Sequence, residues 1–456
     1  MRNVLAPVIC LLALSASPVT AQTSLTIYSD GRVLARREFP LQLPAGLSTH
    51  RLDLGAIDPG SIFPTIPGVS LTRASYDAAV DEQNTMRRAV GRELVFETGG
   101  RTNGVRDTVI ASVVGVQPER FRLQDGRVTF QRPGTPRYPA ELILVNPTLD
   151  VTVHSAEARS GLPLAWFTGG ASWEASYSVV LAGSAARISG MAAIPSSGLA
   201  VANAEIQLLA GSVGRARSSG GIAMDEMRVS AAREQTAFTR ESFLEESIGE
   251  VHLYSLPGRH TLVPGLTTTS ALFEPVTSGY ARRFVLRGAL PWYGGMVQMQ
   301  EEQPQPVEVV HVLKRGAETA FGKLPLPGGV WRLYQADQAG RLQLIGEAAS
   351  RHTAQGQDLE LSAGSAFNLT ARRIQTEFTV RRDSLKTRVR AGYQVTIANA
   401  ADSVATVEVM EERAGEWRLL SSSRPAERLS SSRTRFKVAV PARGEAVLRY
   451  LVEVSW

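Results

Sequence analysis

Two carboxylates and three aromatic rings make the best case for chemistry in this chain. Glu174 follows Trp173 directly, Trp166 lies seven residues before Trp173, Tyr177 four residues after it, and Glu205 further on. A glycoside-cleaving pair needs two carboxylates roughly 5–10 Å apart across the scissile bond. Aromatic rings beside them would offer flat faces for a sugar. Sequence spacing does not set the distance between the carboxylates. In a β-rich chain, large aromatic side chains serve first as core fillers, because each buries so much area. The expectation is therefore packing for Trp166, Trp173 and Tyr177. A carbohydrate-active protein working through Glu174 or Glu205 is the enzymatic alternative.

Other chemistries lack their parts. Serine nucleophiles of the hydrolase-elbow kind need Gly-x-Ser-x-Gly, and no serine here sits in that frame. The dinucleotide fingerprint begins with Gly-x-Gly, which does not occur. Gly316 to Lys323 mimics a phosphate loop, but its glycines are one residue too far apart. Leu324 also stands where a Ser or Thr would hold magnesium. The histidines His50, His154, His252, His260, His311 and His352 are scattered, with no His-x-x-x-His pair. Glu246, Glu250 and His252 would converge on a metal only if a helix ran through Glu250, and Gly249 argues that it does not. No catalytic, cofactor-binding or metal-ligating residue is assigned. The Glu82-Gln83-Asn84 triplet reads as a turn held by its own side chains. The pairs Arg282-Arg283, Arg372-Arg373 and Arg381-Arg382 suggest an anion-binding face. Adjacent residues on a strand point to opposite sides, however, so each pair gives one arginine per face.

The first 21 residues point to export. Arg2 precedes an apolar run from Val4 to Ala16 that is too short to span a bilayer. Val19-Thr20-Ala21 fits the small-x-small rule for cleavage before Gln22. The single cysteine, Cys10, falls within that leader, so the mature chain has no thiol and no disulfide. The formal charge of +6 rests on arginine, since only four residues are lysine (Lys314, Lys323, Lys386, Lys437). A charge this mild on an exported chain, with no stripe of mixed basic and aromatic residues, makes nucleic acid a poor partner. No apolar stretch after the leader reaches the ~18–20 residues of a membrane helix.

Period-two alternation dominates, and it predicts a mainly β protein. Leu25, Ile27 and Val33, Ala35 flank Asp30-Gly31; Phe121, Leu123 and Val128, Phe130 flank Asp125-Gly126. Asp-Gly tolerates the positive φ of a tight turn, so both read as hairpins. Ile188, Gly190, Ala192 and Ile194 read as a strand, as do Phe284 and Leu286. The clearest run is at the end: Tyr393, Val395, Ile397; Val407, Val409; Trp417, Leu419; Phe436, Val438, Val440; and Leu448, Tyr450, Val452, Val454, Trp456. Short strands at near-regular spacing predict an immunoglobulin-like sandwich, with Trp417 as a core filler in place of a disulfide. Met224 to Ile248 is the one stretch where helix competes with strand. Gly211 to Gly221, Gln300 to Pro306 and the segment around Pro325 and Pro327 read as breaks. The expected organisation is a leader (1–21), an N-terminal β-rich region (22–149), a central mainly-β domain (150–373) and a C-terminal sandwich (374–456). The aromatic C-terminus also fits an outer-membrane barrel. Aromatic residues are only 7%, lipid-length strands are few and proline breaks are several, which argues against it.

Several phrases occur in an order that resembles a family. They are Leu43-Pro44-Ala45-Gly46, Leu52-Asp53-Leu54, Pro59-Gly60-Ser61, Glu82-Gln83-Asn84 and Val90-Gly91-Arg92-Glu93-Leu94-Val95. Trp166-Phe167-Thr168-Gly169-Gly170-Ala171-Ser172-Trp173-Glu174-Ala175-Ser176-Tyr177 follows, then Ala200 to Gly211, Tyr254-Ser255-Leu256-Pro257-Gly258 and Thr261-Leu262. This resembles the bacterial exported proteins with domain of unknown function 4139, related to the mucoidy-inhibitor A-like family. Longer members carry a coiled-coil insertion after the N-terminal strands. Here only about a dozen residues separate Gly68 from Glu82. The resemblance implies an architecture and an envelope location, with no catalytic residues or cofactor to carry over. The expected function is a non-catalytic interaction or scaffold module, its partner an envelope protein or a glycan.

Overall fold

The computed structural model describes residues 23–102, 105–211, 213–214, 244–248, 251–288, 303–382, 386–412 and 416–455. The leader, and with it Cys10, lies outside the described residues, as does Trp456. The protein is mainly β. Among the described residues the strands form sheets of eight, five, three and thirteen strands, and none of these closes into a barrel. Alternation is the cause. On the strand Gly444–Ser455, Leu448, Tyr450, Val452 and Val454 are buried while their neighbours face outward. One face of each such strand must leave water, and a second layer covers it. The apolar C-terminal run therefore faces a protein core.

Both Asp-Gly hairpins form. Thr23–Tyr28 and Val33–Leu43 pair antiparallel around Gly31, whose φ is 88°. Glu119–Leu123 and Val128–Thr129 pair around Gly126, at φ 87°. A left-handed φ of this kind costs an L-residue with a Cβ ~1–2 kcal/mol, so glycine is favoured. The aspartate works too: Arg32 N donates to Asp30 Oδ1 (3.2 Å) and Arg127 N to Asp125 Oδ1 (3.0 Å). In each case the same arginine returns its guanidinium to the other carboxylate oxygen.

The thirteen-stranded sheet organises the rest. Two of its strands are very long, Thr267–Gly288 (22 residues) and Leu359–Arg382 (24 residues). Each serves two hydrophobic cores. Leu272 and Phe273 lie in the larger core and Leu286 in the C-terminal one. Likewise Leu359, Leu361 and Ala363 belong to the first, Leu369 and Ala371 to the second. The sheet thus runs without interruption through residue 373. In the C-terminal core, Thr387–Asn399 and Gly444–Ser455 pack against Ala405–Glu412 and Arg433–Val440, with Phe436 stacked on Tyr450 (5.3 Å between ring centroids). Trp417 is buried there and its indole N–H donates to Ser431 O (2.9 Å).

Three expectations change. The described α-helix is Glu82–Arg88, where a turn was expected. Asp81 caps it by accepting from Asn84 N (2.8 Å), and Arg87 and Arg88 sit in the last turn, favourable to the helix dipole. Within Met224 to Ile248, Leu244–Ile248 is a strand paired with Val251–Ser255; residues 224–243 lie outside the described residues. The break at Gln300 to Pro306 is in part a strand, since Gln303–Leu313 contains both Pro304 and Pro306. Those prolines pair with Arg372 and Thr370 on one side, whereas pairing on the other side begins only at Glu308. Proline is tolerated where one edge of a strand needs no N–H donor.

Residues 82–142 form a separate lobe between Val69–Asp77 and Thr148–Ser155. Its small core holds Met86, Leu94, Phe96, Ala111, Val113, Phe121 and Leu142. Arg88 ties both crossings together: it donates to the Asp77 carboxylate (3.0 Å), to Ala79 O and to Leu142 O.

Candidate functional site

The aromatic residues singled out in the sequence are packing residues. Trp166, Trp173 and Tyr177 are all buried. The Tyr177 ring stacks on Trp331 (4.0 Å between centroids), and Phe273 covers Gly190, where any Cβ would collide with the ring. Burial pushes the Tyr177 hydroxyl pKa well up, so it remains a donor, and it binds Pro327 O (2.8 Å). The Trp173 N–H donates to Leu209 O (3.2 Å). Neither ring has a free face for a sugar. Glu174 is exposed on a strand of the thirteen-stranded sheet. Glu205 is exposed on a strand of the eight-stranded sheet, ion-paired with Arg259 (2.9 Å). The two carboxylates leave different sheets, and neither lines the clefts described below.

The loop that mimics a phosphate site has the opposite polarity. A phosphate loop aims N–H groups at an anion. Here Gly316 to Lys323 wraps the buried Arg315, which donates to the carbonyls of Phe321 and Leu324, and to those of Ala354 (2.8 Å) and Gln357 (3.1 Å). Two of the three arginine pairs divide as strand geometry requires. Arg372 is exposed and near Glu445 (3.8 Å), while Arg373 is buried against Glu411 (2.5 Å). Arg283 bridges Glu360 (2.6 Å) and Glu408 (2.7 Å), whereas Arg282 lies over the Phe284 ring. Arg381 and Arg382 are exposed. Among the described residues no three His, Asp or Glu side chains gather as metal ligands. Glu246 and His252 occupy neighbouring strands, and Glu250 lies outside the described residues.

One place does combine accessible space, an aromatic wall and polar groups. The end of Thr23–Tyr28, the start of Val33–Leu43, the end of Arg159–Thr168 and the end of Val201–Ala210 meet at one end of the eight-stranded sheet. Thr23–Tyr28 and Val201–Ala210 run parallel, so their carboxyl ends lie side by side. Arg32 stands between two clefts there. One, of about 520 Å³, is lined by Ala56, Ile57, Asp58, Phe167, Thr168 and Gly169. The other, of about 250 Å³, is lined by Tyr28, Ser29, Asp30, Leu209, Val213 and His352. Together they fall in the ~300–1,000 Å³ range of small-molecule sites.

The walls are held by bonds to the frame. Tyr28 and Phe167 lie 6.1 Å apart, and the Arg32 guanidinium sits over the Tyr28 ring (5.1 Å). Arg32 is held by Asp30 (2.8 Å), which matches its charge within the hairpin. Asp58 N donates to Phe167 O (2.8 Å), and its carboxylate accepts from Gly60 N (3.2 Å). Thr168 Oγ1 donates to Ala56 O (2.5 Å). Gly328 N donates to His352 Nδ1 (3.1 Å), which leaves Nε2 as the protonated nitrogen of the neutral ring. Sequence reasoning passed over Tyr28, Arg32 and Asp58, and weighed His352 only as one of six scattered histidines. Its one signal was the Phe167-Thr168-Gly169 phrase, whose Phe and Thr line the larger cleft. Comparison with protein-family models and with curated proteins gives no match.

Proposed function

We propose that this chain is an exported cell-envelope protein that acts as a non-catalytic interaction or scaffold module, with the clefts around Arg32 as its point of contact. The observation that carries the reading is the use made of its reactive-looking groups. Trp166, Trp173, Tyr177 and Arg315 are committed to packing and to carbonyl bonds, whereas accessible polar groups and partly exposed aromatic rings meet at the Arg32 end of one sheet. The leader-like residues 1–21 and the ordered phrases that resemble the domain of unknown function 4139 proteins support the envelope placement. The C-terminal two-layer packing supports an immunoglobulin-like module. Two measurements test the reading. Mass spectrometry of protein released by osmotic shock is expected to show an N-terminus at Gln22; a cytosolic, unprocessed chain overturns the placement. Purified protein is expected to release no product from envelope glycans, and product release that disappears in Glu174→Gln overturns the non-catalytic assignment.

A further inference from the structure

We propose that the clefts around Arg32 bind a neutral, hydroxyl-rich saccharide; this rests on the contact role proposed above and names its ligand. Three features point to this chemistry. The first is charge. Arg32 is the cationic side chain shared by both clefts, and its guanidinium already pairs with Asp30, its Nε 2.8 Å from Oδ2. A phosphate or carboxylate ligand would have to displace Asp30 or lie beside Asp30 and Asp58. Like charges at that range disfavour it.

The second is the mixture of donors and acceptors. Asp58 is exposed and keeps acceptor capacity beyond its bond to Gly60 N. Thr168 Oγ1 spends its proton on Ala56 O and keeps its lone pairs. His352 offers Nε2–H, because Nδ1 already accepts from Gly328. A sugar hydroxyl both gives and accepts a hydrogen bond, so alternating partners of this kind match it. The third is the apolar wall. The partly exposed Tyr28 and Phe167 rings, with Ile57 and Leu209, present carbon surface beside these polar groups, as a pyranose with its apolar C–H face needs. The backbone beneath Tyr28, Arg32 and Phe167 is fixed by two strand ends, the Gly31 turn and the Asp58 to Phe167 bond.

The test uses the full mature chain on an array of neutral oligosaccharides (chitotriose, maltotriose, cellotriose) and acidic ones (uronate and sialylated trisaccharides). Calorimetry follows on the best ligand. The expected result is retention of at least one neutral trisaccharide, with affinity reduced at least tenfold in Asp58→Ala and in His352→Ala. Glu174→Gln should bind unchanged, and both cleft variants should keep the parent melting temperature to within a few degrees. Because Asp58 and His352 are exposed, loss of folding is not the expected route to loss of binding. Selective retention of acidic glycans, no retention at all, or binding indifferent to both cleft variants would each overturn the proposal. Those outcomes leave the scaffold assignment to its own measurements, whereas hydrolysis of a bound trisaccharide would strike that assignment and not the ligand class.

Discussion

The two cores each contain a buried arginine, and they satisfy it in opposite ways. In the larger core, Arg315 is wholly buried and gives its guanidinium to backbone carbonyls of two loops. Burial lowers its pKa from the ordinary arginine value. In the C-terminal core, Arg373 is equally hidden but meets side chains: Glu411 (2.5 Å), Tyr450 Oη (2.7 Å) and Gln305 Oε1 (3.2 Å). Burial opposes the charge of Arg373 too, yet Glu411 and Tyr450 outweigh it and its pKa rises. The first arginine shapes irregular backbone, whose carbonyls would otherwise be buried without donors. The second pins strands from both layers of a sandwich that needs no loop to support it. Each location explains its chemistry: carbonyls are spare in loops, and in a ladder they are already used.

Breaking the counter-ion should cost most. Glu411→Ala leaves Arg373 charged and buried, and is expected to lower stability by ~3–5 kcal/mol in urea unfolding. The double variant Arg373→Met with Glu411→Leu should recover to near the parent or exceed it, since a buried pair is often replaceable by apolar side chains. A double variant as unstable as Glu411→Ala would show that the pair does more than neutralise itself. Arg315→Met should cost on the order of 3 kcal/mol, because several buried carbonyls lose their donor at once. Unlike Glu411→Ala, it should also open residues 316–327 to limited proteolysis under native conditions. Equal protection of that loop in both variants would erase the distinction between the two arginines.

A smaller effect concerns His311, buried near Arg315 in sequence and stacked on Tyr280, with Nδ1 3.0 Å from its hydroxyl. Burial, with Arg282 adding to it, lowers its pKa below the ordinary 6.5. The unfolded chain then binds the proton first as pH falls. The stabilisation is complete above about pH 6.5 and declines as pH drops below that value toward the folded pKa. His311→Gln should flatten the acid side of the melting-temperature profile below about pH 6.5. An unchanged slope would mean that other groups set it. The smallest expected change is Gly31→Ala, at ~1 kcal/mol for a positive φ. Its interest is that the same turn carries Arg32, so glycan binding should weaken along with the modest loss of stability.

What could be read from the chain follows the same division between ladder and loop. Alternation located Thr387–Asn399, Ala405–Glu412, Arg433–Val440 and Gly444–Ser455, because each has one face in a single core. It did not reveal that Thr267–Gly288 and Leu359–Arg382 continue from one core to the next. Their buried side chains change partners midway and the alternation lapses at Phe367, which is almost fully exposed. Nor does alternation name a neighbour. The parallel pairings of Thr23–Tyr28 with Val201–Ala210, and of Glu174–Ala182 with Gly329–Ala336, join segments more than a hundred residues apart. The candidate site was hidden for that reason. Tyr28, Asp58, Phe167 and His352 share no local pattern and are brought together only by strand pairing. The helix Glu82–Arg88 was legible in principle, through Asp81 as cap and arginines in its last turn. Seven residues with only Thr85 and Met86 buried carry too little apolar period to announce it.

The two long strands also decide how this molecule can come apart. A load applied at either end would travel along backbone common to both cores, so neither should give way while the other stands. Heating should accordingly produce one sharp transition for these two cores, and a polypeptide begun at residue 374 would lack the wall supplied by Leu286, Val307, Leu369 and Ala371 and would not fold alone.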